Sequence, residues 1–210
     1  MIDSYVTILN RSSGEFTVQK SRFIGYACPC KSEEDALRFI REIREKHRDA
    51  KHHCYAYIIG KNSGIMRYSD DGEPGGTAGM PIMDVLKNSN IVDGCVVVVR
   101  YFGGVLLGTG GLVRAYTQGC KAALEAASVV TMVRSVSIRC RVSYSVWNQL
   151  QFLLQKLHVQ TQNVNYQQDV EFKICVRSSD LAEVMDSITN IADGKAEWSS
   201  PEEQFVPWSS

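Results

Sequence analysis

The sequence lacks the features that mark secreted and membrane proteins. Its first residues contain no basic segment followed by an apolar one, so no secretory signal is expected. The most apolar runs, Cys95–Val99 and Val105–Leu107, are far shorter than the ~20 residues needed to cross a bilayer. Net charge is also absent, because Lys+Arg and Asp+Glu both number 23 among 210 residues. This balance excludes binding to nucleic acid or anionic membrane through a basic excess over the whole surface, although it leaves a local basic patch open.

Paired cysteines are missing as well. The seven cysteines are an odd number and are scattered through apolar or alternating segments, which is typical of small buried residues in a reducing compartment. Cys28-Pro-Cys30 is not a CxxC pair, and no second pair completes a zinc site. We therefore expect a cytoplasmic protein without disulfides, structural metal or cofactor, and with no membrane partner.

The first 131 residues contain a mixture of strand and helix patterns. Hydrophobic residues alternate in some segments and recur every three or four positions in others. Ser32 followed by three acidic residues is typical of a helix start, because its hydroxyl can cap backbone N–H groups and acids favour the positive end of the helix dipole. The predicted elements are a hairpin with its turn at Ser12–Gly14, a helix from Ser32 to about His47, strands at His52–Ile59 and up to Tyr68, a short helix at Pro81–Lys87, a central strand at Cys95–Val99 and a long helix after Gly111.

Residues 132–210 change character. A strand with alternating burial reaches Tyr144, and Trp147–Leu157 then repeats apolar residues at helical spacing. Two further strands, a second helix and a strand near Lys195–Ser199 complete the order β-α-β-β-α-β, which is the ferredoxin-like split βαβ arrangement. We therefore predict an α+β protein with domains at 1–131 and 132–210.

A glycine-rich loop between the central strand and the long helix is the strongest candidate for binding. Glycines let a backbone approach another molecule closely, and a helix N-terminus offers unpaired N–H groups to an anion. Arg100 and Arg114 lie near the two ends of the loop, so the segment is suited to a phosphate or phosphodiester ligand. The segment is neither a Walker loop nor a dinucleotide fingerprint, and the glycines could instead serve tight packing. The predicted contacts are Arg100, Tyr101, Gly103, Gly104, Gly108, Thr109, Gly110, Gly111 and Arg114.

A second polar cluster suggests a metal-dependent hydrolase, with His53, Asp70 and Glu73 as its residues. Adjacent residues on a strand point to opposite faces, so His52 and His53 are not expected to bind one ion. Nucleophilic catalysis by Cys54 is not favoured either, because no group that would orient a catalytic histidine is evident.

The motifs around these residues resemble the IMPACT/YigZ family, in its bacterial two-domain form. The resemblance rests on Lys51–Tyr57 (KHHCYAY), Tyr68–Pro81 (YSDDGEPGGTAGMP), Val97–Gly104 (VVVRYFGG) and Leu107–Tyr116 (LGTGGLVRAY), which follow one another within residues 20–127. It places His52, His53, Tyr55, Asp70, Asp71, Glu73 and Thr77 on a motif surface whose role is open.

The family resemblance implies an N-terminal domain similar to the second domain of ribosomal protein S5, followed by a ferredoxin-like domain. Together these are similar to the last two domains of elongation factor G, which work inside the ribosomal tRNA site. Eukaryotic relatives regulate a starvation-response kinase pathway by binding its ribosome-associated activator, a partner that bacteria lack.

Three functions follow as hypotheses. The first is a regulator of translation that binds structured RNA or the ribosome through the glycine-rich loop. The second is a protein-interaction module of a stress or translation-control pathway that binds no nucleic acid. The third is the metal-dependent hydrolase, although the sequence favours a binding protein over an enzyme.

Overall fold

The computed structural model describes residues 2–157 and 159–208, and these divide into two compact units. The N-terminal unit holds residues 4–131 together with Ile2, and the C-terminal unit holds Met132–Trp208 together with Asp3. The division falls between Thr131 and Met132. None of the helices within the described ranges is long and apolar enough to span a membrane.

The N-terminal unit is built on a five-stranded sheet in which all neighbours are antiparallel. The strand order is β2-β3-β6-β4-β5. An additional strand, β1, pairs with the long strand β7 that begins at the end of this unit. The elements are β1 (Ser4–Ile8), β2 (Ser12–Val18), β3 (Ser21–Pro29), α1 (Glu33–Lys46), β4 (His52–Ile59), β5 (Ile65–Ser69), α2 (Gly79–Asn88), β6 (Gly94–Tyr101), α3 (Gly108–Glu125) and β7 (Val129–Val142).

Helices cover both faces of this sheet. The apolar stripe of α1, including Phe39 and Ile43, packs on the face that contains Val97 and Val99. Helices α2 and α3 pack on the opposite face, where Tyr116 is fully buried. The alternation of a strand therefore sends successive residues of β6 into two different cores, which explains why this strand reads as a continuous apolar run.

The local signals of the sequence hold in α1 but not in the first hairpin. Ser32 and Asp35 form a capping box, each side chain accepting a backbone N–H of the other residue. The turn predicted at Ser12–Gly14 is wrong, because these residues lie within β2. Gly14 is required there by close approach, since a Cβ would lie 2.5 Å from the carbonyl oxygen of Ala122. The hairpin turns at Gln19 and Lys20, whose φ angles are 44° and 65°.

The C-terminal unit has the predicted ferredoxin-like order. Its strands follow β8-β9-β7, with β10 and β11 paired to β7, and the strand after α5 is thus next to the first. The apolar faces of its two helices pack on Ile138, Phe172 and Ile174. The closing strand is longer than predicted, because β11 follows the short β10. The elements are α4 (Tyr144–Lys156), β8 (Gln160–Tyr166), β9 (Val170–Arg177), α5 (Leu181–Ile191), β10 (Glu197–Trp198) and β11 (Glu202–Trp208).

Candidate functional site

Arg100 lies in the protein interior rather than on the binding surface predicted for it. Its side chain is 6% exposed and its Nη1 donates to Glu73 Oε1 at 2.7 Å. The Tyr116 hydroxyl donates to the same oxygen at 2.7 Å. The prediction that Arg100 contacts phosphate is therefore wrong: its position on β6 points the guanidinium into the core beneath α3, where a carboxylate already neutralises it.

The acidic loop is held by its own hydrogen bonds. Asp70 accepts the backbone N–H groups of Gly76, Ala78 and Gly79 at 2.8–2.9 Å, and so caps the start of α2. Asp71 accepts from Arg44 Nη2 at 2.7 Å and from the His53 backbone N–H at 2.7 Å. These bonds fix the loop against α1, α2 and β4.

The side chains of His52 and His53 have different partners on different faces of β4. His53 is buried, and its Nε2 donates to the His47 carbonyl oxygen at 3.0 Å. His52 Nδ1 donates to the Asp71 carbonyl oxygen at 2.9 Å. Within residues 2–157 and 159–208, no group of three His, Cys, Asp or Glu side chains could hold a metal ion. Because His53, Asp70 and Glu73 each bind a different part of the protein, they do not converge as the hydrolase hypothesis requires.

The remaining motif residues also make internal contacts. Cys54 is fully buried, burial raises the pKa of its thiol, and Sγ donates to the Asp70 carbonyl oxygen at 2.9 Å. Thr77 Oγ1 donates to the Pro74 carbonyl oxygen at 2.6 Å. Tyr55 is half-buried and stacks on Tyr57 with ring centroids 6.1 Å apart. The motif surface is therefore largely a scaffold.

Tyr101 belongs to a hydrogen-bonded cluster at the end of α1. Its hydroxyl bonds to His47 Nδ1 at 2.9 Å and donates to Asp49 Oδ1 at 2.9 Å. His47 Nε2 bonds to the Tyr26 hydroxyl at 2.7 Å. Desolvation by burial, helped by the neighbouring charge of Lys46, lowers the pKa of His47. These bonds tie Tyr101, a predicted contact of the glycine-rich loop, to the end of α1.

The glycine-rich loop combines one packing glycine with an open backbone. A Cβ on Gly103 would lie 2.0 Å from the carbonyl carbon of Lys20, so only glycine fits there. Gly104 and Gly108 have φ angles of 85° and 68° and nothing within 4 Å of a built Cβ. Both proposed uses of the glycines, packing and accessibility, are thus present at different positions of one loop.

The start of α3 faces solvent without a cap. Leu107 is its N-cap residue and gives no side-chain hydrogen bond, and the first turn contains no acidic residue. Thr109, Gly110 and Arg114 are exposed, and Gly111 is half-buried. No ion pair or hydrogen bond to the Arg114 guanidinium is found among the described residues. The N-terminal N–H groups and one guanidinium therefore remain available to an anion.

Exposed apolar side chains border this opening, and they are not among the contacts predicted from the sequence. Phe102 is 51% exposed and lies over the Arg100 guanidinium at 5.3 Å, and Leu106 is 85% exposed. Hydrophobic residues such as Phe102 and Leu106 are usually expected to be buried. The one sequence signal of their exposure is that they lie next to the glycines of this loop. No sequence pattern indicated the hydrogen bond from Tyr116 to Glu73.

Comparisons with known proteins extend over both units. Residues 19–124 match the Impact N-terminal domain, and residues 140–195 match a domain of unknown function, DUF1949. The chain is 34% identical to the IMPACT family member YvyE of Bacillus subtilis over 197 residues, which are 94% of this chain and 91% of that protein. It is 34% identical to the IMPACT family member YigZ of Escherichia coli over 188 residues, 89% of this chain and 92% of that protein.

A solved structure of a hypothetical protein is similar along its whole length. It aligns with a TM-score of 0.61 at 31% identity, covering 97% of this chain and 100% of that one. The α+β class with two domains is thus confirmed, while the likeness to ribosomal protein S5 and elongation factor G stays a prediction.

Proposed function

The chain belongs to the IMPACT family, and from that premise we propose that it regulates translation by binding structured RNA, including that of the ribosome. The binding surface consists of the loop at residues 102–107 and the first turns of α3 through Arg114, together called the α3 entrance. The observation that carries the proposal is the uncapped helix start, where open backbone donors and an unpaired guanidinium lie side by side.

The chemistry of the α3 entrance suits a phosphodiester. Backbone N–H groups at a helix start bind phosphate oxygens without reading base identity, and an arginine adds a charge-assisted, bidentate contact. The exposed ring of Phe102 offers a stacking surface for an unpaired base. Because Arg100 is buried, Arg114 is the arginine of the loop that can reach a ligand.

The test is a salt titration of RNA binding with one matched control. Arg114→Ala is expected to weaken binding of a labelled structured RNA several-fold and to lower the slope of log affinity against log salt by about 1, because one phosphate contact is lost. Arg41→Ala removes the same charge from the exposed side of α1, which covers the opposite face of the sheet. Arg41→Ala should leave affinity and slope unchanged, and equal behaviour of the two variants would remove the α3 entrance from the account.

Exposed Leu106 favours a second candidate, binding to a protein. Leu106 is 85% exposed and forms a small apolar patch with exposed Phe102 and Val105, and such patches mark sites of protein–protein contact. If this function holds, a pull-down with the purified protein recovers one protein partner after nuclease treatment, and Leu106→Asp abolishes its recovery. Loss of all partners upon nuclease treatment would favour RNA instead.

A further inference from the structure

Two positive side chains face each other across neighbouring strands of the C-terminal unit. Arg139 on β7 and Lys173 on β9 are direct partners in the antiparallel pairing. Like charges in this position destabilise a sheet. No carboxylate of the described residues lies within ion-pair distance of either side chain. The next pair on the same face of the sheet, Arg141 and Glu171, instead has opposite charges, and Arg141 Nε lies 3.8 Å from Glu171 Oε1.

The pair lies on the sheet face that carries no helix. Cys140, Phe172 and Ile174, which flank it in sequence, belong to the core under α4 and α5, so Arg139 and Lys173 point the other way. Part of this face is covered, because Trp208 Nε1 donates to Ser135 Oγ at 2.9 Å and Gln204 Nε2 donates to Ser137 Oγ. Arg139 and Lys173 lie further along the strands than Ser135 and Ser137, outside the part that these contacts cover.

A groove of about 440 Å³ adjoins the two cations. Strand β8 has a bulge at its edge, between Gln162 and Asn165, and Asn163 within it has a φ angle of 51°. Bulges commonly re-aim side chains beside binding sites. The groove is within the size range of small-ligand sites. Its lining residues are Arg139, Asn163, Asn165, Glu171, Phe172 and Lys173.

We propose that this groove, the Arg139–Lys173 groove, binds the phosphate group of a nucleotide. A phosphate between the two cations removes their repulsion, and the amides of Asn163 and Asn165 supply both donors and acceptors for the sugar or base. Glu171 also lines the groove, but Arg141 partly balances its charge. The site is separate from the α3 entrance and does not depend on the function proposed for it. The nucleotide is either one unit of an RNA chain or a free nucleotide.

The substitution Arg139→Glu is expected to weaken ligand binding while raising thermal stability. The substitution keeps the backbone bonds of residue 139 to Ser199 and places a carboxylate opposite Lys173 and two positions from Arg141. We expect the midpoint of thermal unfolding of the C-terminal unit to rise by about 3 °C at low salt, because repulsion becomes attraction. Tryptophan fluorescence measures this transition, since Trp147, Trp198 and Trp208 all lie in this unit.

Binding is measured on the full chain carrying Arg114→Ala, so that the α3 entrance does not mask the result. Arg139→Glu should lower the affinity for a short fluorescein-labelled single-stranded RNA about tenfold. The control is Lys195→Glu, which makes the same charge change at a side chain that is 81% exposed and should change affinity less than twofold. Displacement of the RNA by adenosine monophosphate identifies a free nucleotide as the ligand, and its absence assigns an RNA phosphodiester. Equal losses in both variants, no loss in Arg139→Glu, or no binding of either probe would overturn the proposal.

Discussion

The buried ion pair between Glu73 and Arg100 is the contact whose loss we expect to damage the N-terminal unit most. Glu73 and Arg100 side chains are 4% and 6% exposed, and Glu73 also accepts from Tyr116. Glu73→Met leaves the guanidinium buried without a counter-charge, which costs about 3–5 kcal/mol in the free energy of unfolding, and Arg100→Met leaves the carboxylate in the same state. The double variant leaves no buried charge but removes the acceptor of the Tyr116 hydroxyl, so it should lose only about 1–3 kcal/mol, less than the sum of the two single losses.

Urea unfolding followed by far-UV circular dichroism measures this double-mutant cycle. Tryptophan fluorescence reports on the C-terminal unit alone and checks that it stays folded in each variant. The control is Arg22→Met in the exposed pair with Glu15, whose side chains are 52% and 57% exposed at 2.6 Å; its unfolding midpoint should not change measurably. Additive losses in the double variant would contradict this expectation, because they would mean that the two charges do not stabilise each other.

Two further predictions concern the same unit. Gly103→Ala should lower the free energy of unfolding in urea by more than about 2 kcal/mol, because its Cβ would lie 2.0 Å from the Lys20 backbone. Gly110→Ala, exposed in the first turn of α3, should raise the free energy of unfolding by up to about 1 kcal/mol. Equal effects of the two substitutions would contradict the packing role of Gly103. Burial lowers the pKa of His47 below its usual 6.5. The stabilisation from the neutral imidazole is therefore complete above about pH 6.5 and is lost as pH falls through the pKa of the folded state. His47→Gln should flatten the curve of thermal midpoint against pH below about pH 6.5, and an unchanged slope would show that His47 does not cause this pH dependence.

Local patterns predicted most elements of the fold correctly. The strand at His52–Ile59 and the capped helix after Ser32 match the structure because their signals are local: alternation, a capping hydroxyl and acids in the first turn. The turn at Ser12–Gly14 was wrong because Gly14 permits close packing against α3 instead of a reversal. Strand β11 was missed because its sequence includes a proline and three polar residues and gains its pairing from β7.

The candidate site was harder to predict than the fold. Arg100 follows the apolar run of β6, and no local pattern predicts that its guanidinium forms a buried ion pair with Glu73, which lies 27 positions earlier. Likewise, the sequence around Asp70 is typical of an acidic surface loop, because the backbone N–H groups that its carboxylate accepts lie eight and nine positions later. The long helix was predicted to begin after Gly111, whereas α3 begins at Gly108; the place of Arg114 within the first turns of α3 did follow from the sequence.

Co-sedimentation with ribosomes at low and at physiological salt tests whether the protein binds ribosomal RNA through the α3 entrance. We expect the wild type and Arg41→Ala to be retained at both salt concentrations, and Arg114→Ala to be released at physiological salt. Release of the wild type at physiological salt, or full retention of Arg114→Ala, would contradict specific binding through the α3 entrance.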